Sequence, residues 1–245
     1  MSWLALLLIG IGLADLGHSI RPVKVVPEGV AAIVVILLGL ACDLKEARDL
    51  IALVVIAGVV VGWGREVRDG FGRERAWRPL TLLGVAVLVA VLVAPKAGHA
   101  GGPVATWLSV QQFPVLARMS ADRALLVVGG LLVQMSTGNV IVRLVLRATG
   151  TVDPARGIAH DATRALKGGR LLGPMERLFI VGLGLAGHAT AASVVIAAKG
   201  LLRFPELQSK RDGVTGPTID EVTEYFLVGS FVSWTVALGV LVLLA

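Results

Sequence analysis

The sequence predicts an all-α integral membrane protein, a single helical bundle with six or seven transmembrane helices. Of its 245 residues, 56% are hydrophobic and only 16% are charged, whereas roughly 25% of residues are charged in a soluble domain. The mean hydropathy is +0.82, and the 23 basic residues lie between long apolar runs. Despite the net charge of +6, this distribution excludes a soluble enzyme and a nucleic-acid-binding domain, so no nucleic-acid partner is expected.

Seven apolar segments predict the membrane spans. The segments 178–198 and 225–245 contain no Asp, Glu, Lys or Arg, and a helix of that length covers about 31 Å, enough to cross a bilayer. Three shorter segments fit a thinned bilayer or helices extended by their flanks. The first segment lacks a preceding basic region and is interpreted as a retained span rather than a signal peptide. The predicted spans are 2–20, 25–42, 50–63, 80–94, 124–146, 178–198 and 225–245.

The span 124–146 carries polar side chains at Gln134, Asn139 and Arg143. Polar groups within a span face the bundle interior or a cavity rather than lipid. Asn139 and Arg143 are four residues apart and therefore share a helix face. Glu176 is a candidate partner for Arg143, because both residues fall toward the same side of the membrane. A structural ion pair and an anion-binding arginine explain Arg143 equally well.

The connections between spans predict the orientation. Taken alternately, three connections hold 13 Lys and Arg residues and the other three hold 9, and basic loops stay in the cytoplasm. This places 65–78 and 147–177 in the cytoplasm, with the N-terminus outside and the C-terminus inside if seven spans are present. Residues 154–167 read as a basic amphipathic helix on the membrane surface. Arginine-rich cytoplasmic loops are typical of a bacterial inner membrane protein.

The interval of eleven residues between Arg177, His188 and Lys199 places all three on one face of a continuous helix. One interpretation is a lane for an anionic group or a proton, with His188 near the bilayer centre. In the other, Arg177 and Lys199 extend to the two membrane surfaces while His188 hydrogen-bonds a neighbouring helix. For Arg177 and Lys199 the second interpretation is favoured, and for His188 both stay open.

Glycine spacing predicts close helix packing at two places. Gly58 and Gly62 have the four-residue spacing that lets two transmembrane backbones approach. Contact within the bundle is favoured over an interface between two copies. The run Gly182, Gly184 and Gly187 matches a dinucleotide-binding spacing, but no strand precedes it, so packing is again the expected role.

Metal and cofactor sites are not expected. Cys42 is the only cysteine, and the four histidines are scattered, so neither a disulfide nor a thiolate or histidine metal site is predicted. Asp43, Glu46 and Asp49 lie on one side of a short turn. Interface charges between helices are favoured there over a divalent cation site.

The last part of the chain, over about residues 136–245, resembles a group of uncharacterised bacterial polytopic membrane proteins. In that group a G-R-x-x-G-x-x-E-R stretch leads a hydrophobic helix that ends in A-K-x-x-x-R-F-x-E-L. The corresponding residues here begin at Gly169 and Ala198, and are followed by the E-Y-x-x-x-G stretch from Glu224. The resemblance implies no reaction. It groups the residues Asn139, Arg143, Arg170, Glu176, Arg177, Lys199, Arg203, Glu206 and Glu224.

The function expected from these observations is binding or translocation of an anionic lipid or small solute without catalysis. Arg143, Arg170 and Arg177 would contact phosphate, and His188 would line the path. A first alternative is an enzyme acting on a lipid-linked phosphate at the cytoplasmic face, with Glu176 as base or metal ligand. A second is an accessory subunit that holds a partner through Gly58 and Gly62, so the expected partners are membrane lipids and transmembrane helices of another chain.

Overall fold

The structure, a computed structural model, describes residues 1–20, 25–72, 75–112, 118–151, 169–188, 190–194, 196–198 and 219–244. These residues are helical apart from short connections, and they contain no strand, as the predicted all-α class requires. The helices are α1 (Ser2–Ile20), α2 (Val26–Ala41), α3 (Ala47–Gly72), α4 (Trp77–Val93), α5 (Gly102–Ser109), α6 (Ala121–Ala148), α7 (Gly169–Leu185) and α8 (Ile219–Leu244).

Five of the described helices are long and apolar enough to cross a membrane, namely α1, α3, α4, α6 and α8. The chain is therefore an integral membrane protein, with α2 as a further, shorter apolar helix. Helices α1, α2, α4, α6 and α8 coincide with predicted spans. Helix α3 continues well past the predicted segment 50–63, because its charged residues from Arg65 onward stay helical beyond the apolar run. The predicted surface helix 154–167 lies outside the described residues.

The chain forms two compact units, residues 1–137 and 138–243, where the sequence predicts a single domain. The first unit is built around α1, whose residues from Ser2 to Asp15 are all buried except Leu13. Helices α2, α3, α4 and α6 pack against it. Glycine permits the closest approaches, since a Cβ at Gly10 would lie 2.6 Å from Val60, and one at Gly129 would lie 3.0 Å from the main-chain oxygen of Ala5.

Two tryptophan–carboxylate hydrogen bonds fix the direction of α1 relative to α3. The indole of Trp3 donates to Asp49 at 2.9 Å, and the indole of Trp63 donates to both oxygens of Asp15 at 3.1 Å. The first pair joins the starts of the two helices and the second joins their later parts. Helices α1 and α3 therefore run parallel, as first and third spans of a bundle should.

A π-helical turn interrupts α6 at Val133–Thr137. It brings Gln134 and Ser136 to the inside of the first unit, where both are buried. The Ser136 hydroxyl donates to the main-chain oxygen of Gly12 at 2.9 Å. The prediction that the polar face of this span points inward is confirmed at Gln134.

In the second unit, α7 packs between the end of α6 and α8. Arg177 and Gly184 of α7 lie against Ser233 and Leu241 of α8, in the same order along both helices. Helices α7 and α8 therefore run parallel. Helix α6 runs against α8, because its residue Leu146 lies near Gly229 while Thr151, just after α6, contacts Glu224 near the start of α8.

The predicted continuous span 178–198 is not formed. Helix α7 ends at Leu185, and Gly187 follows with φ of 80°. The amides of Gly187 and His188 donate to the carbonyls of Gly184 and Leu183 at 3.0 and 2.8 Å, which is the Schellman pattern that ends a helix at a glycine. Residues 190–194 and 196–198 are helical again. Pro174 lies inside α7.

Candidate functional site

The best-defined polar site of the second unit surrounds Arg177, whose side chain is 1% exposed. Its Nη1 donates to the Ser233 hydroxyl at 3.1 Å, and its Nη2 donates to Asn139 Oδ1 at 2.8 Å. One guanidinium thus joins three helices, α6, α7 and α8. Asn139 and Ser233 are neutral, so these two contacts are hydrogen bonds and not ion pairs.

Two glycines make room for this guanidinium. A Cβ at Gly138 would lie 2.5 Å from Arg177 Nε and 2.7 Å from Cζ, and a Cβ at Gly173 would lie 3.3 Å from Asn139 Oδ1. Contacts this short require a shift of the neighbouring atoms. A glycine at position 138 is therefore needed for the guanidinium to lie against α6.

Glu176, the candidate catalytic residue, is bound to α8. Its Oε1 accepts a hydrogen bond from the Trp234 indole at 2.7 Å, and the side chain is 7% exposed. The two neighbouring residues Glu176 and Arg177 therefore both bind α8, through Trp234 and Ser233. Such interhelical hydrogen bonds contribute about 0.6 to 2 kcal/mol each within a membrane.

Arg143 lies on the outside of α6. Its side chain is exposed, and its Nε donates to the main-chain oxygen of Asn139 at 3.3 Å. Asn139 thus receives hydrogen bonds from both arginines, at its side chain from Arg177 and at its carbonyl from Arg143. The sequence prediction paired Asn139 with Arg143 alone. The helix spacing could not reveal the contact with Arg177, which is made between helices.

The predicted lane of Arg177, His188 and Lys199 is wrong, because the helix is broken at Gly187. The three residues share a face only on a continuous helix, and α7 ends before His188. The His188 side chain is exposed just after the helix end rather than lining an interior path. Lys199 and the side chain of Arg170 lie outside the described residues, as do Arg203 and Glu206.

Gly58 and Gly62 are not packed closely within the described chain. A Cβ at Gly58 would meet no atom within 4 Å, and one at Gly62 would reach Leu82 at an ordinary 3.8 Å. The packing within the bundle that the spacing favoured is therefore not found. Gly184 does have the expected packing role, since a Cβ there would lie 2.5 Å from Leu241.

The three carboxylates of the turn after α2, which belong to Asp43, Glu46 and Asp49, do not form one cluster. Asp49 is buried and accepts hydrogen bonds from the Trp3 indole and the Gly98 amide. Asp43 and Glu46 are exposed and pair with Lys45 and Arg48. Within the described residues, no group of three or more His, Cys, Asp or Glu side chains is arranged to hold a metal ion. Cys42 is buried.

The first unit contains a charged cluster that sequence reasoning missed. Glu28, in the first turn of α2, is 1% exposed, and its Oε1 contacts both His18 of α1 and Arg68 of α3. The three residues are far apart in sequence and meet only because α1, α2 and α3 bring their ends together. An available signal was the position of a lone acidic residue at the start of an apolar segment.

Comparisons with known proteins add no assignment. No protein-family model matches the chain, and neither the curated proteins nor the solved structures show a significant match. The resemblance to uncharacterised bacterial membrane proteins stays a prediction.

Proposed function

We propose that this protein binds or translocates an anionic amphiphile and that Arg143 contacts its phosphate. The observation that carries this proposal is an exposed guanidinium on a helix apolar enough to span the membrane. A charged side chain on such a helix normally faces the protein interior or extends to the membrane surface. Arg143 lies five residues before the end of α6, or about 8 Å along the axis, within reach of lipid headgroups.

Arg147 strengthens the site. It follows Arg143 by one helical turn, in the last turn of α6, so the two side chains share a helix face. Two guanidinium groups one turn apart suit a phosphate, because each can present paired N–H donors to its oxygens. The expected partner is therefore a membrane lipid or another phosphate-bearing amphiphile.

Arg177 takes a different part in this proposal from the one that the sequence suggested. Its buried donors bind Asn139 and Ser233, so it positions Asn139, whose carbonyl in turn binds Arg143. Arg177 supports the shape of the site and does not contact the ligand. Arg170 remains a candidate phosphate contact from the sequence alone.

Native mass spectrometry of the protein in mild detergent tests the proposal, with Arg143→Gln beside wild type. The matched control is Arg123→Gln, an exposed arginine at the opposite end of α6. We expect an anionic lipid to co-purify with wild type and the control and to be strongly reduced in Arg143→Gln. Equal lipid occupancy in all three proteins would contradict the proposal.

The alternative of an enzyme acting on a lipid-linked phosphate depended on Glu176 as base. The buried position of that carboxylate and its bond to Trp234 favour a role in helix association. No described contact favours catalysis, so binding is the function proposed.

The proposal places the connections 65–78 and 147–177 in the cytoplasm of a bacterial inner membrane, with the N-terminus outside. The sequence predicts a cytoplasmic C-terminus on the condition that 178–198 crosses the membrane. Because α8 runs against α6, a cytoplasmic end of α6 gives an external end of α8. We therefore propose that the C-terminus is also outside.

Reporter fusions at the C-terminus test this orientation. We expect alkaline phosphatase, which needs an external location to fold, to be active there and green fluorescent protein to be dark. A fluorescent, phosphatase-negative C-terminus would restore the seven-span orientation. Matched fusions within 65–78 provide the cytoplasmic control.

A further inference from the structure

The two carboxylate oxygens of Glu28 differ in the contacts that they make. Oε1 receives Arg68 and His18, with His18 Nε2 at 2.9 Å. Oε2 is buried and has no hydrogen-bond partner among the described residues. A buried oxygen without a donor is costly, and it calls for a bound species that supplies one.

The approach of His18 to Glu28 is also incomplete. Nε2 is buried and, although near Oε1, it does not have the alignment of a hydrogen bond to any described group. Glu28 Oε1 and His18 Nε2 are therefore close together, but their geometry is not that of a hydrogen bond. Both are groups that gain or lose a proton within the physiological range when their surroundings change.

The remaining charged groups decide which ligand fits. Asp15 lies one turn before His18 on α1, and α3 supplies Arg68, with Arg65, Glu66 and Asp69 within one turn of it. Of the other helices packed on α1, α4 carries only Arg78, which is exposed, and α6 has no titratable residue between Ala124 and Val142. The Arg68 guanidinium occupies the place that a metal cation would need, so the cluster suits a proton.

The cluster has access from one end of the unit. The His18 and Arg68 side chains are 27% and 33% exposed, whereas Glu28 is 1% exposed. Gly64 leaves room for Glu28 between the helices, because a Cβ at position 64 would lie 2.2 Å from Glu28 Cγ. A proton can thus reach the partly exposed imidazole first and the buried carboxylate second.

We propose that His18 and Glu28 form a proton-binding site at this end of the first unit. The partly exposed His18 imidazole takes a proton from hydronium, which leaves as water, and becomes an imidazolium. The imidazolium can then pass the proton on Nε2 to the Glu28 carboxylate and return to the neutral imidazole. Release follows the same path in reverse. This site is different from the phosphate contact proposed at Arg143. It lets the protein bind a proton, which the proposed binding of an amphiphile does not require.

The test is the pH titration of the imidazole signals in protein labelled with ¹⁵N only at histidine. The chain has four histidines, so His18→Gln assigns the signal of His18. We expect Glu28→Gln to move the His18 titration to lower pH by about one unit or more, because an opposite charge within about 4 to 6 Å is removed. His99, which is exposed, is the internal control and keeps its titration.

A second variant guards against loss of folding in Glu28→Gln. Arg68→Gln removes a positive charge from a partly exposed position, and we expect it to move the His18 titration to higher pH. Opposite shifts in the two variants support the site. A His18 signal that does not titrate between pH 5 and pH 8.5, or that titrates identically in wild type and both folded variants, would overturn the proposal and leave a purely structural ion pair.

Discussion

Both units bury carboxylates that accept a hydrogen bond from a tryptophan indole, but among the described residues only the second unit also buries a guanidinium. In the first unit, the buried carboxylates Asp49 and Asp15 each accept hydrogen bonds from a tryptophan indole on a parallel helix. In the second, a buried guanidinium donates to an amide and a hydroxyl on two other helices. A carboxylate only accepts hydrogen bonds, whereas a guanidinium has five N–H donors that all need acceptors. The second unit therefore depends more on one side chain than the first.

The largest effect is expected for Arg177→Gln. The shorter side chain loses the bonds that join α6, α7 and α8, and each buried polar group left without a partner costs about 1 to 3 kcal/mol. We expect a loss of about 2 to 5 kcal/mol in the free energy of unfolding, measured by denaturation in mixed micelles. Arg123→Gln is the surface control and should stay within about 0.5 kcal/mol of wild type. Equal stability of the two variants would remove the contrast between the units.

Gly138→Ala tests the same site from the side of α6. The added Cβ collides with the Arg177 guanidinium, and overpacking of this kind costs about 1 to 3 kcal/mol. Gly182→Ala on α7 is the matched control, since a Cβ there meets no described atom within 4 Å. Thermal unfolding should show a loss for the first variant and no loss for the second. A neutral Gly138→Ala would mean that the guanidinium does not lie against α6.

Trp63→Phe measures the corresponding bond in the first unit. It keeps an aromatic ring but removes the indole donor that both Asp15 oxygens share. We expect a loss of about 1 to 2 kcal/mol, smaller than for Arg177→Gln, because one hydrogen-bond donor is removed. Trp77→Phe, at an exposed position, is the control for loss of an indole. If Trp63→Phe lowers the free energy of unfolding more than Arg177→Gln does, the first unit and not the second depends more on one side chain.

Gly58→Ala should have the smallest effect. The position is exposed and a Cβ meets no described atom, while alanine favours a helix over glycine by about 0.5 to 1 kcal/mol. We expect unchanged or slightly higher stability and an unchanged oligomeric size by light scattering. A change of size in Gly58→Ala would instead assign this glycine to contact with another transmembrane helix.

Hydropathy predicts most of the helices because length and apolarity are properties of one segment at a time. Helices α1, α6 and α8 match their predicted segments for this reason. The prediction of a continuous span over 178–198 was wrong, because a hydropathy profile carries no information on backbone conformation and does not reveal a glycine in the left-handed region. Gly187 in the middle of an apolar run was the available signal for a helix end, and it was interpreted as a packing residue.

The polar site could be predicted only in part. The sequence singled out Asn139, Glu176 and Arg177, and the structure brings all three to the interfaces of α6, α7 and α8. The spacing along one helix placed Asn139 beside Arg143, as the structure does, but it did not predict the contact of Asn139 with Arg177. Contacts between helices depend on their direction and register, and neither the parallel course of α7 and α8 nor the meeting of His18, Glu28 and Arg68 is encoded in the spacing within any one segment.

The most direct test of the central claim, that Arg143 contacts the ligand while Arg177 holds the helices, is the shift in thermal unfolding temperature on adding anionic lipid to lipid-depleted protein. A ligand that binds only the folded state raises this temperature. We predict that Arg143→Gln starts at the wild-type temperature and shows no shift, whereas Arg177→Gln starts lower and still shows a shift, reduced because Asn139 is no longer held in place. A shift that is lost in Arg177→Gln and kept in Arg143→Gln would contradict the account.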